Sequence, residues 1–307
     1  ATPAKLDVFL EHGFNRFSLG IQDFSREVLE VVKRDQGLME VEEVIGYLRT
    51  RGIESINFDL IYGLPGQDRN SCLDTAEKVI ALKPSRIALY SYAHVPWLHA
   101  HQNALERAGL PEPDLKASFF LSMMDRFLDA GYVTIGMDHF ALPEDELVLA
   151  RQDGTLQRNF QGYSTHRQCD LVALGVSGIG GIGNMFAQNS ITTMEYEEII
   201  ERGELPIRKG LLVDDDDLVR AAVIQDLMCY DSLSFDDFGA RHGIDFREYF
   251  AEEVKQLDVL AKDGLIELDD AGITITPSGR LLLRNIAMTF DRYINLAEND
   301  SRFSKAI

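Results

Sequence analysis

Three side chains in the first hundred residues stand where an α/β protein keeps its chemistry. Gln22, Asp59 and His94 each fall at or near the C-terminal end of a strand-like run: Phe14–Gln22, Ser55–Tyr62 and Arg86–Ala93. An amide, a carboxylate and an imidazole on one rim can grip a polar ligand or move a proton. In barrels of parallel strands that rim carries the active site. The runs are separated by helical sequence, Ser25–Arg51 and Cys72–Leu82, the second with Ala76, Val79, Ile80 and Leu82 on one side. Strand, helix, strand at this spacing predicts βαβ units and a parallel sheet. Right-handed crossovers would stack them into a barrel or a doubly wound sheet. A helix over Asp114–Ala130 and a strand over Tyr132–Met137 follow. Residues 143–188 then mix glycines with polar and aromatic residues, which reads as an irregular functional segment.

Other candidates carry less. Gly178-Ile179-Gly180-Gly181-Ile182-Gly183 satisfies the dinucleotide fingerprint, but no second βαβ unit follows it. Its glycines predict close backbone approach to some ligand. His94, His139 and His166 share no helix turn and read as ordinary hydrogen-bonding histidines near a pocket. Cys72, Cys169 and Cys229 lie too far apart for a metal-ligand pattern or a disulfide framework, so a reducing cytoplasm is expected. No Gly-x-Ser-x-Gly nucleophile elbow occurs.

The 307 residues, 45% hydrophobic, suffice for a globular protein of more than one domain. A net charge of −20 repels phosphate backbones and argues against nucleic-acid binding. The apolar runs are too short to cross a bilayer, so no membrane is expected either. Ala1–Leu6 leads straight into helix-like sequence without the features of a signal peptide. The acid run Asp214–Asp217 opens a different region, with helices over Leu218–Tyr230, Ser234–His242 and Phe246–Asp263. A hairpin over Leu265–Thr276 and a last helix over Pro277–Phe290 complete a winged-helix outline. The expected domains are therefore 1–210 and 211–307. The would-be recognition helix carries Asp236 and Asp237 against one arginine, Arg241, which favours packing on protein over binding DNA.

Several segments resemble a known family. Asn15–Phe24 (NRFSLGIQDF) and Asn57–Gln67 (NFDLIYGLPGQ) look like the second half of the radical S-adenosylmethionine barrel found in coproporphyrinogen oxidases and in a sister family of haem chaperones. Tyr90–Trp97 (YSYAHVPW), Gly136–Ala141 (GMDHFA), Arg158–Thr165 (RNFQGYST) and Gly279–Met288 (GRLLLRNIAM) resemble the oxygen-independent coproporphyrinogen III oxidases in particular. The resemblance runs from about residue 7 to the C-terminus.

It implies an α/β fold: the second half of a partial (β/α) barrel, followed by a mostly helical, winged-helix-like domain that helps close the site. Matched motif to motif, Gln22, Arg34, Asp59, Ala93 and Ile179 fall on the family's S-adenosylmethionine contacts. Arg34 would pair with the methionine carboxylate, and Asp59 would accept from an amino or ribose group. Ala93 and Ile179 would offer backbone or apolar contact. The implied reaction is oxidative decarboxylation of two propionates of coproporphyrinogen III to the vinyl groups of protoporphyrinogen IX. Its cofactors would be S-adenosylmethionine and a [4Fe–4S] cluster. An electron donor such as a flavodoxin or ferredoxin system and a monomeric full-length enzyme are also implied. The haem chaperones, carriers without oxidase activity, are the alternative. The family's C-x-x-x-C-x-x-C cluster loop has no counterpart here, so the cluster ligands are expected outside this chain, and the chain alone is expected to be an inactive C-terminal fragment.

Overall fold

Alternating burial along Ile56–Tyr62 fixes how the first sheet faces. In the computed structural model, which describes residues 2–167 and 169–294, Ile56, Phe58, Leu60 and Tyr62 are buried while Asn57, Asp59 and Ile61 are half-buried on the opposite face. The buried face packs on helices Leu38–Thr50, Arg69–Leu82 and Pro113–Asp129 through Ile45, Leu48, Val79, Phe119 and Phe127. Burying each such side chain is worth about 1.5–3 kcal/mol, which determines which face is left for a ligand.

Strands β1 (Phe17–Gln22), β2 (Ile56–Tyr62) and β3 (Arg86–Ser91) pair in parallel, as the βαβ spacing predicts. The next run departs from expectation. Residues 132–137 do not make one strand: β4 (Val133–Ile135) ends at Gly136, whose φ of 58° turns the chain toward β5 (His139–Ala141). Strand β5 lies antiparallel to both β3 and β4, giving an open sheet of order β1-β2-β3-β5-β4. A second departure concerns 25–51, read as one helix. The helix Arg26–Val31 stops after Lys33 enters the left-handed region, and Leu38–Thr50 starts afresh with Glu40 accepting from Gly37 N–H at 2.9 Å. The break frees Arg34 and Gln36 to turn back toward β1.

Two compact units divide between Leu149 and Ala150, so residue 210 falls inside the second. The stretch 143–188, expected to be irregular, holds a helix (Glu146–Gln152), a hairpin of β6 (Gln157–Asn159) and β7 (Gly162–Ser164), and β8 (Ile179–Ile182). The glycine fingerprint forms a second hairpin, with β8 turning through Gly183 into β9 (Met185–Asn189), and β10 (Ile207–Leu212) completes that sheet. What approaches its glycines is protein: a Cβ on Gly180 would lie 2.6 Å from the Leu171 carbonyl oxygen. At Gly180 the close approach is therefore made by another chain segment, while a Cβ on Gly183 would meet nothing within 4 Å.

Beyond Val213 the winged-helix outline is realised. Helices Asp215–Cys229, Phe235–His242, Phe246–Tyr249 and Ala251–Lys262 accompany a sheet of β11 (Ser232–Ser234), β12 (Ile266–Leu268) and β13 (Gly272–Ile275), ordered β11-β13-β12. The acid run is the start of the first of these helices: Asp214 caps Asp217 N–H, and Arg292 reaches Asp214, Asp216 and Asp217. The last helix is split into Pro277–Leu281 and Leu283–Met288. Residues 295–307 of the expected domain 211–307 lie outside the described residues. Gly279 sits so close to β12 that a Cβ there would be 1.8 Å from the Leu265 carbonyl oxygen. Gly279→Ala is therefore expected to destabilise the second unit by roughly 3 kcal/mol, since rigid backbone must shift; a urea titration reading the helical signal checks it.

Candidate cofactor site

Register brings the first candidates together. Gly20 of β1 stands opposite Asp59 of β2, and a bulge between Gly20 and Gln22 carries Gln22 to φ 67° at the strand end. That backbone is held from behind by Asp23, which is 1% exposed: it accepts from Ser25 N–H at 2.6 Å, Thr75 Oγ1 at 2.7 Å and Gln67 Nε2 at 2.6 Å. Gln67 in turn accepts from Leu64 N–H at 2.8 Å. One buried carboxylate thus locks the tops of β1 and β2. Asp23 and Gln67 lie within the two family-like motifs, yet nothing in their spacing announces that they meet.

Arg34 comes back over β1 from the helix break. Its Nη1 donates to the Gly20 carbonyl at 2.5 Å and to Gln36 Oε1 at 3.2 Å, and Gln36 Nε2 donates to the Ile21 carbonyl at 2.7 Å. The Gln22 amide and the Arg34 guanidinium flank the bare Cα of Gly20: a Cβ there would lie 2.8 Å from Gln22 Nε2 and 3.6 Å from Arg34 Nη2. Asp59 is oriented by donors on both oxygens, Asn57 Nδ2 at 2.7 Å and Ser18 Oγ at 2.7 Å. An amide and a guanidinium therefore flank one glycine, while its strand neighbour Asp59 turns its carboxylate to Ser18 and Asn57. Gly20 and Gln36 were not singled out from sequence, because only the folded bulge reveals their part.

The end of β3 supplies another wall. Ala93 is exposed, with its carbonyl accepting from Gln102 Nε2 at 3.1 Å. Beside it, among the described residues, Ser91 Oγ, Tyr92 Oη and His94 Nδ1 are buried without hydrogen-bond partners. Such groups are normally satisfied by protein, water or ligand. Lys116 Nζ donates to the Tyr92 carbonyl at 3.2 Å, and burial lowers the pKa of its ammonium. His94, at the end of the expected strand, faces Glu106 at 3.6 Å, and His139 pairs with Asp138 at 2.6 Å. Ile179 belongs to the second unit, in β8, where its carbonyl accepts from Gln161 Nε2 at 3.2 Å.

These donors and acceptors suit a zwitterionic nucleoside such as S-adenosylmethionine, which offers a carboxylate, an amine and ribose hydroxyls. The cysteines do not suit an iron–sulfur cluster. Burial pushes the thiols of Cys72 and Cys229 up to about 12, against the thiolate form a cluster requires, and Cys72 is in a different unit from Cys169 and Cys229. Among the described residues, no group of three or more His, Cys, Asp or Glu is placed to hold a metal ion.

Family profiles agree with this layout: "Radical SAM superfamily" matches residues 1–79 and "HemN C-terminal domain" matches residues 213–282. A solved structure titled as coproporphyrinogen III oxidase (HemN) from Escherichia coli, a radical SAM enzyme, superposes with a TM-score of 0.88 at 40% identity, covering 96% of this chain and 68% of that one. The chain belongs to the oxygen-independent coproporphyrinogen III oxidase family. The Pseudomonas aeruginosa oxidase is 50% identical over 97% of the chain, and the Escherichia coli oxidase 40% identical over 98%. The chain spans 64% and 66% of the lengths of those two oxidases. The fold expected from the resemblance, part of a (β/α) barrel followed by a mostly helical domain, agrees with that of the HemN structure, and the first sheet is open.

Proposed function

We propose that this chain provides the S-adenosylmethionine rim and the C-terminal domain of a radical S-adenosylmethionine enzyme that decarboxylates coproporphyrinogen III oxidatively to protoporphyrinogen IX in haem biosynthesis. The observation that carries the reading is the Gln22 amide and the Arg34 guanidinium flanking Gly20, with Asp59 opposite that glycine on β2. Bound S-adenosylmethionine, given one electron by the reduced cluster, would supply a carbon radical able to take hydrogen from an unactivated C–H bond.

The chain's own residues bind and orient. Arg34, already fixed by the Gly20 carbonyl, would direct its free N–H groups at the methionine carboxylate. Asp59, held by Ser18 and Asn57, would accept from the amine or a ribose hydroxyl. Gln22 would donate its amide to either oxygen-bearing end, while Ala93 and Ile179 would offer backbone and apolar contact. Lys116 would keep the loop before Ala93 in place. The [4Fe–4S] cluster would be held by ligands outside this chain. The match over 213–282 supports treating 211–307 as a module of its own, with 1–210 as partial barrel and active-site segments. A cytoplasmic monomer fed by a flavodoxin or ferredoxin system, with no nucleic-acid or membrane partner, completes the reading. Among the described residues no helix is long and apolar enough to cross a membrane.

The test is anaerobic turnover by the chain extended to the length of its relatives, with a reconstituted cluster, S-adenosylmethionine and a reductant. Coproporphyrinogen III should yield vinyl products by chromatography. Intact substrate together with tight haem binding would replace the oxidase by a haem carrier.

A further inference from the structure

In the second unit, a cleft of about 1040 Å³ opens between the β6 region, the β8–β9 hairpin and the helix Asp215–Cys229. That lies at the top of the range for small-molecule sites, roughly 300–1,000 Å³. Its walls mix polar side chains with apolar ones, Phe160, Leu171, Phe186, Leu218 and Ala222 among the latter. Three guanidiniums, Arg158, Arg167 and Arg241, also line it. Two of these are accounted for: Asp226, with a side chain 7% exposed, accepts from Arg167 at 2.7 Å and from Arg241 at 2.5 Å. The carboxylate that lines the cleft, Asp170, is exposed and accepts from Gly183 N–H at 2.9 Å.

Arg158 is different. Its guanidinium lies 5.7 Å from the Tyr163 ring centre, and among the described residues it makes no ion pair, while its Nε is buried without a hydrogen-bond partner. The contacts that hold residue 158 are made by its backbone, through Gln225. Arg158 thus carries a charge that no acid balances among the described residues, in a chain carrying 50 acidic residues. A planar, forked cation beside aromatic walls matches a carboxylate attached to a large apolar body.

We propose that this cleft binds a tetrapyrrole through a peripheral propionate, with Arg158 as its anchor. The inference rests on the proposed oxidase function and assigns a substrate contact within it. The macrocycle would lie against Phe160 and Phe186, and one propionate would take the N–H groups of Arg158 in a charge-assisted pair.

The probe is coproporphyrin III, the stable fluorescent oxidised form, titrated into the 307-residue chain with emission as readout. Arg158→Gln should weaken binding about tenfold or more, the loss of one charge-assisted pair. Ala222→Trp, which fills the cleft, should weaken it similarly, and Arg202→Gln, which alters an exposed ion pair, should not. Unfolding curves of each variant exclude loss of fold. Binding unchanged by both cleft substitutions would overturn the cleft assignment and leave the oxidase reading standing. No binding of coproporphyrin III by the unaltered chain would overturn the assignment too, and only failed turnover by the extended enzyme would remove the oxidase reading.

Discussion

Gly20→Ala is expected to raise the KM for S-adenosylmethionine about tenfold or more in the extended enzyme, the worth of one charge-assisted hydrogen bond misplaced. The new methyl would sit 2.8 Å from Gln22 Nε2 and within 3.7 Å of both terminal Arg34 nitrogens. All are far ends of flexible side chains, so they can move at little cost to the fold. They cannot move and still converge where Gly20 now leaves room. The thermal midpoint should therefore stay near that of the parent while the cofactor term changes. An unchanged KM would show that the Gln22–Arg34 cluster does not touch the cofactor.

The second large effect concerns stability. Arg86 at the start of β3 donates through Nε to both oxygens of Asp145, at 3.0 and 2.9 Å, and through Nη2 to Glu146 at 2.6 Å. The Arg86 and Asp145 side chains are only 11% and 5% exposed. Arg86→Ala would leave a buried carboxylate without its cation, a change that costs roughly 3–5 kcal/mol. Denaturant unfolding of the first unit should show a loss of that order; a loss below about 1 kcal/mol, the range of exposed pairs, would contradict it. The same cluster gives a pH dependence. Hydrogen bonding from Arg16, with Arg86 adding to it, holds the Glu146 carboxyl below the usual range. Its contribution is thus complete above the unfolded-state value and is lost as pH falls through the folded one. Because Glu146 is 39% exposed, that contribution is small, and Glu146→Gln should flatten the acid side of the stability curve only modestly.

Sequence patterns carried the parallel strands because a period of two with βαβ spacing is a local signal. Pro113–Asp129 and the helices after Asp214 were legible for the same reason, through periodicity and caps. The helix break at residues 33–37 was not, since Glu40 capping Gly37 and the left-handed Lys33 are local choices that apolar spacing overrides. Yet that break is what delivers Arg34 to Gly20. The β4–β5 turn at Gly136 was hidden by a continuous apolar reading of 132–137. A glycine permits close approach without naming what approaches, and at Gly180 it is the Leu171 carbonyl. Gln22 and Asp59 stood out at strand ends and Arg34 only through resemblance to a family, whereas the reason Gln22 and Arg34 meet at Gly20 lies in a bulge and a helix break. The unpaired state of Arg158 was likewise invisible, because sequence shows charges and not which of them are paired.

S-adenosylmethionine affinity tests the account most directly. Equilibrium dialysis would compare the extended, cluster-bearing protein with its Asp59→Ala and Arg34→Ala variants, each checked for an unaltered unfolding transition. Both variants should lose about tenfold or more in affinity, as removal of a charge-assisted contact requires. Full affinity in both would contradict this and move the cofactor away from the tops of β1 and β2.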